Sequence, residues 1–367
     1  MAESTFSLRE VSAAIAREGL DWQAGENQLT AMADEERRRF LGVVVTPEER
    51  ARLAAECRSM AAVEQQTFAT RFAAPASFDW RNVSGANYVT EVKNQGSCGS
   101  CVSFCSCAVI ESAIRIKLGN PSYAVDLSEA FMQFCGGGSC SGWGLTSGLA
   151  FAKSTGVTDE ACMPYQPQNM NCQASRCSDW QNRLTKIKDY AAHSTMEARK
   201  NAIATKGPVL AGMAVYTDFY GYSSGIYQKT STATLEGYHC IAVVGYNDAQ
   251  QYWIIKNSWG KGWGQSGFCF LRYGQNDILI DTEWAFYTVE VEIAKAWHSN
   301  VTVTQVYATP HSKNAWAHLQ GLGWRKIEPV SNDGVTNTLA LLTYARAHGR
   351  KVSVYADGDQ IYQAYML

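Results

Sequence analysis

Residues 1–74 repeat their apolar positions with the period of helices. Leu8, Val11 and Ile15 fall on one helical face, behind a serine and a glutamate spaced as a capping box. Residues 46–49 form a second helix start, in which a threonine precedes a proline and two glutamates. The pattern predicts a helical N-terminal region.

Beyond residue 75 the apolar segments shorten, and Gly, Trp, Tyr and Cys become frequent. The run 102–118 predicts a long buried helix, whereas the apolar segments after Gly207 have the length and spacing of strands. A helix-rich first half followed by a strand-rich second half predicts two lobes in an α+β arrangement. The predicted strands are 209–215, 239–246, 252–256 and 267–273.

The C-terminal residues 296–367 contain no cysteine and predict a separate small α+β module. Residues 313–320 and 335–348 have helical spacing, and three other segments alternate like strands. The predicted strands of this module are 301–307, 351–355 and 360–365. Its aromatic residues either form the core of the module or bind a partner or a glycan; they include Trp316, Trp324, Tyr362 and Tyr365.

The composition is that of a folded soluble protein. The 367 residues are 46% apolar and 18% charged, a length that suggests two or three domains. The formal net charge of -2 gives no sign of a nucleic-acid partner, and no apolar run is long enough to span a membrane. Three consecutive arginines at 37–39 are typical of a solvated face.

Nine of the twelve cysteines lie between residues 98 and 177. Metal binding competes with disulfide formation as an explanation. However, the chain has only six histidines and no pair of CxxC motifs at zinc-finger spacing. We therefore expect disulfides, no metal, and an oxidising extracellular or lysosome-like compartment. Residues 1–17 lack the apolar stretch of a secretory signal, which leaves a cytoplasmic location open.

The segment 95–101, Gln-Gly-Ser-Cys-Gly-Ser-Cys, is the most informative motif of the chain. It leads into the predicted helix 102–118 and places Cys101 in the first helical turn. The positive end of the helix dipole favours the ionised, nucleophilic form of a thiol at that position. The motif therefore predicts a nucleophilic cysteine.

Two downstream residues supply the groups that such a nucleophile needs. His239 opens an apolar strand and is a candidate base and acid, although a histidine in that setting is commonly a structural core residue. Asn257 ends the next strand among tryptophans and glycines, where its carbonyl can orient the imidazole. Together with Cys101 these residues indicate a cysteine hydrolase.

Three segments, 95–101, 237–246 and 253–264, resemble the signature segments of the papain family of cysteine peptidases in order and spacing. The resemblance extends over about residues 75–293. It implies a two-lobed papain-like fold with a helical left lobe and a β-rich right lobe, and it implies no cofactor.

The resemblance also implies a role for each matching residue. Cys101 would be the nucleophile and His239 the general base and acid. Asn257 would orient His239, and the Gln95 side chain with the Cys101 N–H would form the oxyanion hole. Trp259 would shield the His–Asn pair. The substrate-binding residues implied in this way are Gly99, Ser100, Gly142, Trp143, Gly212, Trp259 and Glu283.

Disulfide pairing is implied by the resemblance and does not follow from the spacing. Cys98 would pair with Cys140. Cys135 and Cys162 would pair with the remaining two cysteines of the segment, as Cys135–Cys172 and Cys162–Cys177.

The N-terminal region adds a second resemblance. Residues 22–27 and 40–42 resemble the short propeptide of cathepsin B-like members, and residues 76–81 resemble the start of a mature papain-like enzyme. The expected division is a helical inhibitory propeptide in the cleft, a peptidase domain and an accessory domain, with an ordinary helical domain as the alternative for the first part. The expected ranges are 1–74, 75–295 and 296–367.

Several positions depart from the family pattern. Val102 follows the nucleophile where members carry tryptophan, and Trp143 replaces the second of two substrate-binding glycines. Glu283 matches the bottom of the S2 pocket, which predicts acceptance of arginine there. No loop with paired histidines occurs between Cys140 and Gly207, which favours endopeptidase over exopeptidase activity.

The sequence thus predicts a cysteine endopeptidase made as a zymogen, acting through a thiolate–imidazolium pair and a thioester. Its expected partners are a peptide or protein substrate and its own propeptide, with no nucleic acid. Two alternatives remain open: a papain-fold peptide ligase or acyl-transfer enzyme, and a catalytically silent binding protein.

Overall fold

A computed structural model describes residues 6–68, 74–293, 296–311, 313–329 and 331–367. The chain divides into two compact units. The first contains residues 1–113 and 126–290, and the second contains residues 114–125 and 291–367. The expected three-part division stays a prediction; residues 69–73, at the end of the expected propeptide, and residues 294–295, at the expected second boundary, lie outside the described residues.

The helices begin and end at recognisable capping signals. Ser7 accepts a hydrogen bond from the Glu10 amide, and Gly19 ends the first helix in the left-handed conformation. Thr46 and Glu49 cap the third helix reciprocally, at 3.0 and 3.2 Å. The α-helices are α1 Leu8–Glu18, α2 Asp34–Arg38, α3 Pro47–Phe68, α4 Cys101–Leu118, α5 Ser147–Ser154, α6 Cys172–Ser175, α7 Met196–Lys206 and α8 Asn332–Ala347. Shorter helical turns span Phe131–Cys135, Trp180–Arg183 and Thr217–Gly221.

The strands of the first unit form one sheet of nine strands within the described residues, in the order β1-β5-β8-β7-β6-β4-β9-β3, with β2 paired to β6. Strands β4 and β7 and residues 239–246 of β6 are almost entirely buried, which explains why they appear in the sequence as near-continuous apolar runs. The strands are β1 Trp22–Ala24, β2 Ser77–Asp79, β3 Ile187–His193, β4 Val209–Tyr216, β5 Tyr222–Tyr227, β6 Leu235–Asn247, β7 Tyr252–Lys256, β8 Phe268–Arg272 and β9 Phe286–Val291.

The first unit has the α+β organisation that the sequence predicts. Its first half contains the buried helix α4, and its second half contributes most of the sheet. Ala130, Phe131 and Met163 form a separate buried apolar cluster. Cys101, at the start of α4, and His239, on β6, therefore come from the two different halves.

The second unit is a closed five-stranded barrel in the order β10-β11-β12-β14-β13, with α8 between the third and fourth strands. The third and fifth strands run parallel, and the remaining neighbours are antiparallel. This is the strand order of OB-type barrels. The strands are β10 Ala296–Ala308, β11 Ala315–Leu319, β12 Gly323–Ile327, β13 Lys351–Ala356 and β14 Gln360–Met366.

Two predictions from the pattern are wrong. Residues 313–320 do not form a helix, because Ala315, Ala317 and Leu319 alternate inward along β11 and complete the barrel core. Arg37 does not lie on a solvated face. It is 2% exposed, donates to the Met32 carbonyl, pairs with Asp34 and lies over the Tyr220 ring.

The described residues show no helix with the length and apolar character that crossing a bilayer requires. Across the same residues, no three His, Cys, Asp or Glu side chains cluster as a metal site.

Candidate active site

Cys101 is the first residue of α4, as its position in the motif predicts, and its side chain is fully buried. The backbone N–H groups of Val102, Cys240 and Gly42 donate to its sulfur and stabilise the thiolate. Burial outweighs these contacts and raises the pKa of the thiol to about 12. In this closed state the sulfur is therefore a protonated, unreactive thiol at neutral pH.

His239 lies on β6 and faces the end of β7. Its Nε2 is 2.8 Å from Asn257 Oδ1, which also accepts the Ser258 amide at 2.8 Å. Because an amide oxygen only accepts, Nε2 carries the proton, and Nδ1 is the unprotonated nitrogen. Nδ1 has no hydrogen-bond partner among the described residues.

The surroundings of His239 favour its neutral form. Burial lowers the pKa of the imidazole to about 4, although the hydrogen bond to Asn257 acts in the opposite direction. The Trp259 ring lies 4.9 Å from the imidazole and is itself fully buried. The closed site thus holds a neutral imidazole and a neutral thiol in place of an ion pair.

Gln95 is buried, and its amide is fixed at both ends. Its Oε1 accepts a hydrogen bond from Ser258 Oγ at 2.6 Å, which orients the Nε2 group. Nε2 then donates to the carbonyls of Cys98, at 2.8 Å, and Phe40, at 3.0 Å. An amide donor that is oriented in this way can stabilise an oxyanion in acyl transfer.

The carbonyl held by Gln95 belongs to the N-terminal part of the chain. Residues 40–44 pass directly over the site and pair with Trp143 through two main-chain hydrogen bonds, Trp143 N to Gly42 O at 2.8 Å and Val44 N to Trp143 O at 2.9 Å. On the other side, Val43 N donates to the Tyr238 carbonyl at 3.2 Å. This segment therefore occupies the groove between the two halves of the first unit.

Gly42 fits only because it has no side chain. A Cβ atom there would lie 2.1 Å from the Gly99 carbonyl oxygen. Gly142, with φ of +115°, faces it, and a Cβ on Gly142 would come 2.5 Å from the Gly42 oxygen. Two backbones thus meet in direct contact next to Cys101.

Helix α3 continues the N-terminal part beyond the groove and is held by side chains. Arg50 donates to both carboxylate oxygens of Glu283, at 2.9 and 3.1 Å, and lies 3.4 Å from the Tyr238 hydroxyl. At the other end of α3, Glu64 accepts hydrogen bonds from the amides of Ser194 and Thr195 at the start of α7.

The remaining residues predicted for the site divide into two groups. Gly99, Gly142 and the Trp143 backbone contact the N-terminal segment, whereas the Trp143 ring packs against Phe151 at 6.4 Å. Ser100 and Gly212 instead contact residues of the surrounding fold. Ser100 Oγ lies 2.7 Å from the Tyr165 hydroxyl, and a Cβ on Gly212 would meet the Trp284 ring at 2.3 Å.

Three functional neighbours were missed by the sequence reasoning. Ser258 orients Gln95, Tyr165 donates to the Gln95 carbonyl at 2.7 Å, and Arg50 pairs with Glu283. Ser258 follows the predicted Asn257 directly, so adjacency was an available signal. Nothing in the local pattern links Tyr165 or Arg50 to residues that lie 70 and 233 positions away.

The structure contains three disulfides, the same pairs that the resemblance implies. They are Cys98–Cys140, Cys135–Cys172 and Cys162–Cys177. The first joins the loop that carries Gly99 to the loop that carries Gly142, so it fixes the two glycine loops that contact Gly42 to each other. Three disulfides fit an oxidising compartment.

Comparison with known proteins gives a consistent result. Residues 74–288 match the papain family cysteine protease profile. Cathepsin B-like CP3 of Giardia intestinalis is 37% identical over 239 residues, which cover 62% of this chain and 78% of that protein. Pro-cathepsin H of Bos taurus is 31% identical over 282 residues, which cover 74% of this chain and 78% of that protein.

Solved structures of two precursors share the fold. The proCathepsin B S9 of Trypanosoma congolense superposes with a TM-score of 0.63 at 21% identity, covering 79% of this chain and 100% of that one. Digestive procathepsin L 3 from the larval midgut of Tenebrio molitor superposes with a TM-score of 0.60 at 26% identity, covering 77% of this chain and 87% of that one.

Proposed function

Because the chain belongs to the papain family of cysteine peptidases, we propose that it is the zymogen of a cysteine endopeptidase with Cys101 as nucleophile. In this proposal His239 is the general base and acid, Asn257 orients His239, and Gln95 with the Cys101 N–H forms the oxyanion hole. Residues 1–74 are the inhibitory propeptide, and a peptide or protein is the substrate.

The proposed reaction starts when the propeptide leaves the groove and water and substrate enter. The Cys101 thiol transfers its proton to Nδ1 of His239, and the thiolate attacks the scissile carbonyl. The carbonyl oxygen becomes an oxyanion that accepts hydrogen bonds from Gln95 Nε2 and the Cys101 N–H. His239 then protonates the leaving amine, which leaves a thioester on Cys101.

Hydrolysis of the thioester completes the cycle. Neutral His239 removes a proton from water, and the resulting hydroxide attacks the thioester carbonyl. The second oxyanion collapses, releases the peptide acid and returns the sulfur and its proton to the Cys101–His239 pair. Asn257 fixes the imidazole in both steps, because its side-chain oxygen accepts the Nε2–H and leaves Nδ1 to carry the proton that is transferred.

One observation supports this proposal above the others: the Phe40 carbonyl accepts from Gln95 while the Gly42 amide donates to Cys101. A main-chain carbonyl thus already occupies the donor that the mechanism assigns to the oxyanion. Inhibition follows from occupation of the same groups that catalysis requires, and the buried thiol and imidazole stay neutral as a result.

Mass spectrometry of the full chain between pH 4 and pH 8, with an epoxide thiol-protease inhibitor, tests the proposal. We expect acid to release a fragment ending near residue 75 and the inhibitor to add to Cys101. The Cys101→Ala chain should show neither event. Absence of cleavage and of labelling at every pH, while other thiols react, would support the silent binding protein instead.

Product analysis with an added amine separates hydrolysis from acyl transfer. If water opens the thioester, the products are peptide acids even when a low concentration of amine is present. Predominant capture of the acyl group by a low concentration of amine would identify a ligase or acyl-transfer enzyme.

We also propose that Glu283 sets the S2 preference and accepts arginine as well as apolar side chains. The ion pair with Arg50 supports this, because an arginine of the propeptide already reaches the carboxylate. Activated Glu283→Ala enzyme should lose cleavage of peptides with Arg at P2 and keep cleavage of those with Phe or Leu. Equal loss on both peptide classes would contradict the assignment.

A further inference from the structure

The barrel of the second unit carries an ordered set of aromatic rings on its outer face. One row crosses four strands, from Tyr307 on β10 to Trp316, Lys326 and Gln360 on β11, β12 and β14. Side chains of directly paired residues lie on the same face of a sheet. A second row therefore runs beside the first, from Gln305 through His318 to Trp324.

These rings are not required by the core. The interior of the barrel is filled by aliphatic residues, among them Val303, Ala317, Leu319, Ile327 and Leu342. Tyr307 is 54% exposed and Trp324 is 42% exposed. Aromatic rings that stay exposed to water do not add the free energy of burial to the stability of the fold. A cluster of such rings on one face therefore indicates a binding surface.

Neighbouring side chains hold the rings in place. Trp316 Nε1 donates to Asn314 Oδ1 at 3.1 Å, and Asn314 in turn donates to Thr309 at 2.7 Å. Trp324 packs edge-on against His318 at 5.5 Å, and Thr304 lies 2.5 Å from His318 Nδ1. The aromatic surface is therefore prearranged, which reduces the entropy lost on binding.

The charge of this face is low. Lys326 is the cationic side chain of the two rows, and it lies 5.9 Å over the Trp316 ring. Arg325, between Trp324 and Lys326 in sequence, is 2% exposed and donates to the Asp357 carbonyl. Burial and the nearby Arg325 lower the pKa of His318, so this ring is neutral at neutral pH.

Charge decides between the ligands that stack on aromatic rings. Single-stranded nucleic acid needs a positively charged groove along its phosphates in addition to stacking rings. One lysine in two rows does not supply it. A neutral sugar chain matches the face better, because pyranose rings stack through their C–H faces and their hydroxyls bond to amides such as Gln305 and Gln360. The barrel fold is shared by proteins with many ligands, so the choice rests on these residues.

We propose that this face, the aromatic platform (Tyr307, Trp316 and Trp324 with Gln305, His318, Lys326 and Gln360), binds a neutral oligosaccharide. Sugar rings stack on Trp324, Trp316 and Tyr307, and the side-chain amides bond to the hydroxyls. The inference is independent of the peptidase chemistry, since none of these residues belongs to the proposed catalytic groups.

Titration of the full Cys101→Ala chain, followed by tryptophan fluorescence and calorimetry, tests the proposal. The probes are cellohexaose, laminarihexaose, mannohexaose and chitohexaose, with a twelve-nucleotide oligothymidine as the charged competitor. We expect saturable binding of at least one hexasaccharide, and no measurable binding of the oligonucleotide. Trp324→Ala and Tyr307→Ala should each weaken sugar binding by about tenfold.

Trp297→Ala is the matched control. Trp297 is 48% exposed on the same strand, but it belongs to a different ring cluster with Tyr355 and Tyr365. This variant should bind the sugar like the parent chain. Two measurements exclude misfolding. The circular dichroism spectra of all three variants should match that of the parent chain, and the same three substitutions in a chain that retains Cys101 should leave its peptidase activity after activation unchanged.

Three results would overturn the proposal. The first is the absence of binding by all four hexasaccharides at millimolar concentration. The second is binding of the oligonucleotide alone, which would make the platform a nucleic-acid site. The third is an equal loss of sugar binding in Trp297→Ala and Trp324→Ala, which would place the sugar elsewhere on the barrel.

Discussion

Two parts of the proposed propeptide are attached to the rest of the first unit by different physical means. Residues 40–44 use their main chain, in hydrogen bonds to Trp143, Tyr238 and Gln95 at the centre of the site. Helix α3 uses side chains, and its ion pair between Arg50 and Glu283 leaves both partners about one-third exposed. The first attachment is buried at Phe40 and Val43, and the second is partly in water.

The two attachments have different roles: the main-chain contact blocks access to Cys101, and the side-chain contact only adjusts how firmly the N-terminal part is held. Main-chain pairing depends on backbone shape, so it is sensitive to any side chain that separates the two backbones. An ion pair that is one-third exposed adds little free energy and weakens as the salt concentration rises. We therefore expect changes at the main-chain contact to have large effects and changes at the side-chain contact to have small ones.

The largest effect should follow from loss of the Gln95 side-chain amide, which donates to the Phe40 carbonyl in the precursor and, in the proposed mechanism, to the oxyanion of the substrate. Gln95→Ala removes one oxyanion donor, and in the activated enzyme kcat should fall by roughly 10²–10³-fold with little change in KM. Steady-state kinetics on a peptide substrate measures this. Gln265→Ala removes an amide that bonds only to the Tyr222 hydroxyl among its described side-chain contacts, and it should leave kcat unchanged. A loss below tenfold for Gln95→Ala would remove Gln95 from the oxyanion hole.

Gly42→Ala tests the main-chain contact in the precursor. The new Cβ would lie 2.1 Å from the Gly99 oxygen, so the segment must move away from Cys101. A strained contact of this kind costs about 1–3 kcal/mol, which predicts roughly 5- to 150-fold faster labelling of Cys101 by the epoxide inhibitor at pH 7.

Two controls accompany that measurement. Gly262→Ala adds a methyl group where no atom lies within 4 Å, and it should not change the labelling rate. Once the propeptide has been removed, the Gly42→Ala enzyme should have the kcat of the parent enzyme. Unchanged labelling in the Gly42→Ala precursor would mean that the close approach of the two backbones does not control access.

The fold and the centre of the site follow from the sequence because they depend on local signals. Cys101 stands where a loop enters a helix, His239 is the first buried residue of β6, and Asn257 directly follows β7. The residues that adjust the site do not have such signals. Arg50 and Glu283 lie 233 positions apart, and nothing in their neighbours indicates the pairing.

The two wrong predictions have the same origin. The spacing of residues 313–320 fits a helix and a strand equally over so short a segment, and barrel closure decides in favour of the strand. Arg37 looks solvated because it stands in a run of charged residues, ahead of two other arginines. Its burial depends on Asp34 and on the Tyr220 ring, which tertiary packing supplies.

Acid should weaken the main-chain attachment through His239. In the closed state the pKa of His239 is lowered to about 4, against about 6.5 for an exposed histidine. The closed state therefore has its full stability above about pH 6.5. As the pH falls towards 4, the equilibrium constant that favours the closed over the open state falls by up to about tenfold per pH unit. Below about pH 4 both states are protonated, and the loss ends.

Hydrogen exchange of the amides of residues 42–44 in the full Cys101→Ala chain, corrected for intrinsic exchange, measures this opening. The Cys101→Ala chain with His239→Gln lacks the titrating group, and its opening should depend much less on pH. Equal pH dependence in the two chains would assign the release to carboxylates instead of His239.

The smallest effect should come from the side-chain attachment. Arg50→Ala breaks an ion pair whose partners are 35% and 32% exposed, and such pairs contribute about 0.2–1 kcal/mol. Cys101 labelling in the precursor should therefore rise by no more than about fivefold, and the difference should shrink at high salt. Arg52→Ala is the matched control on the same helix, because Arg52 pairs with Glu56 of α3 itself. An effect of Arg50→Ala as large as that of Gly42→Ala would show that the exposed ion pair, and not the backbone pairing, holds the propeptide in the groove.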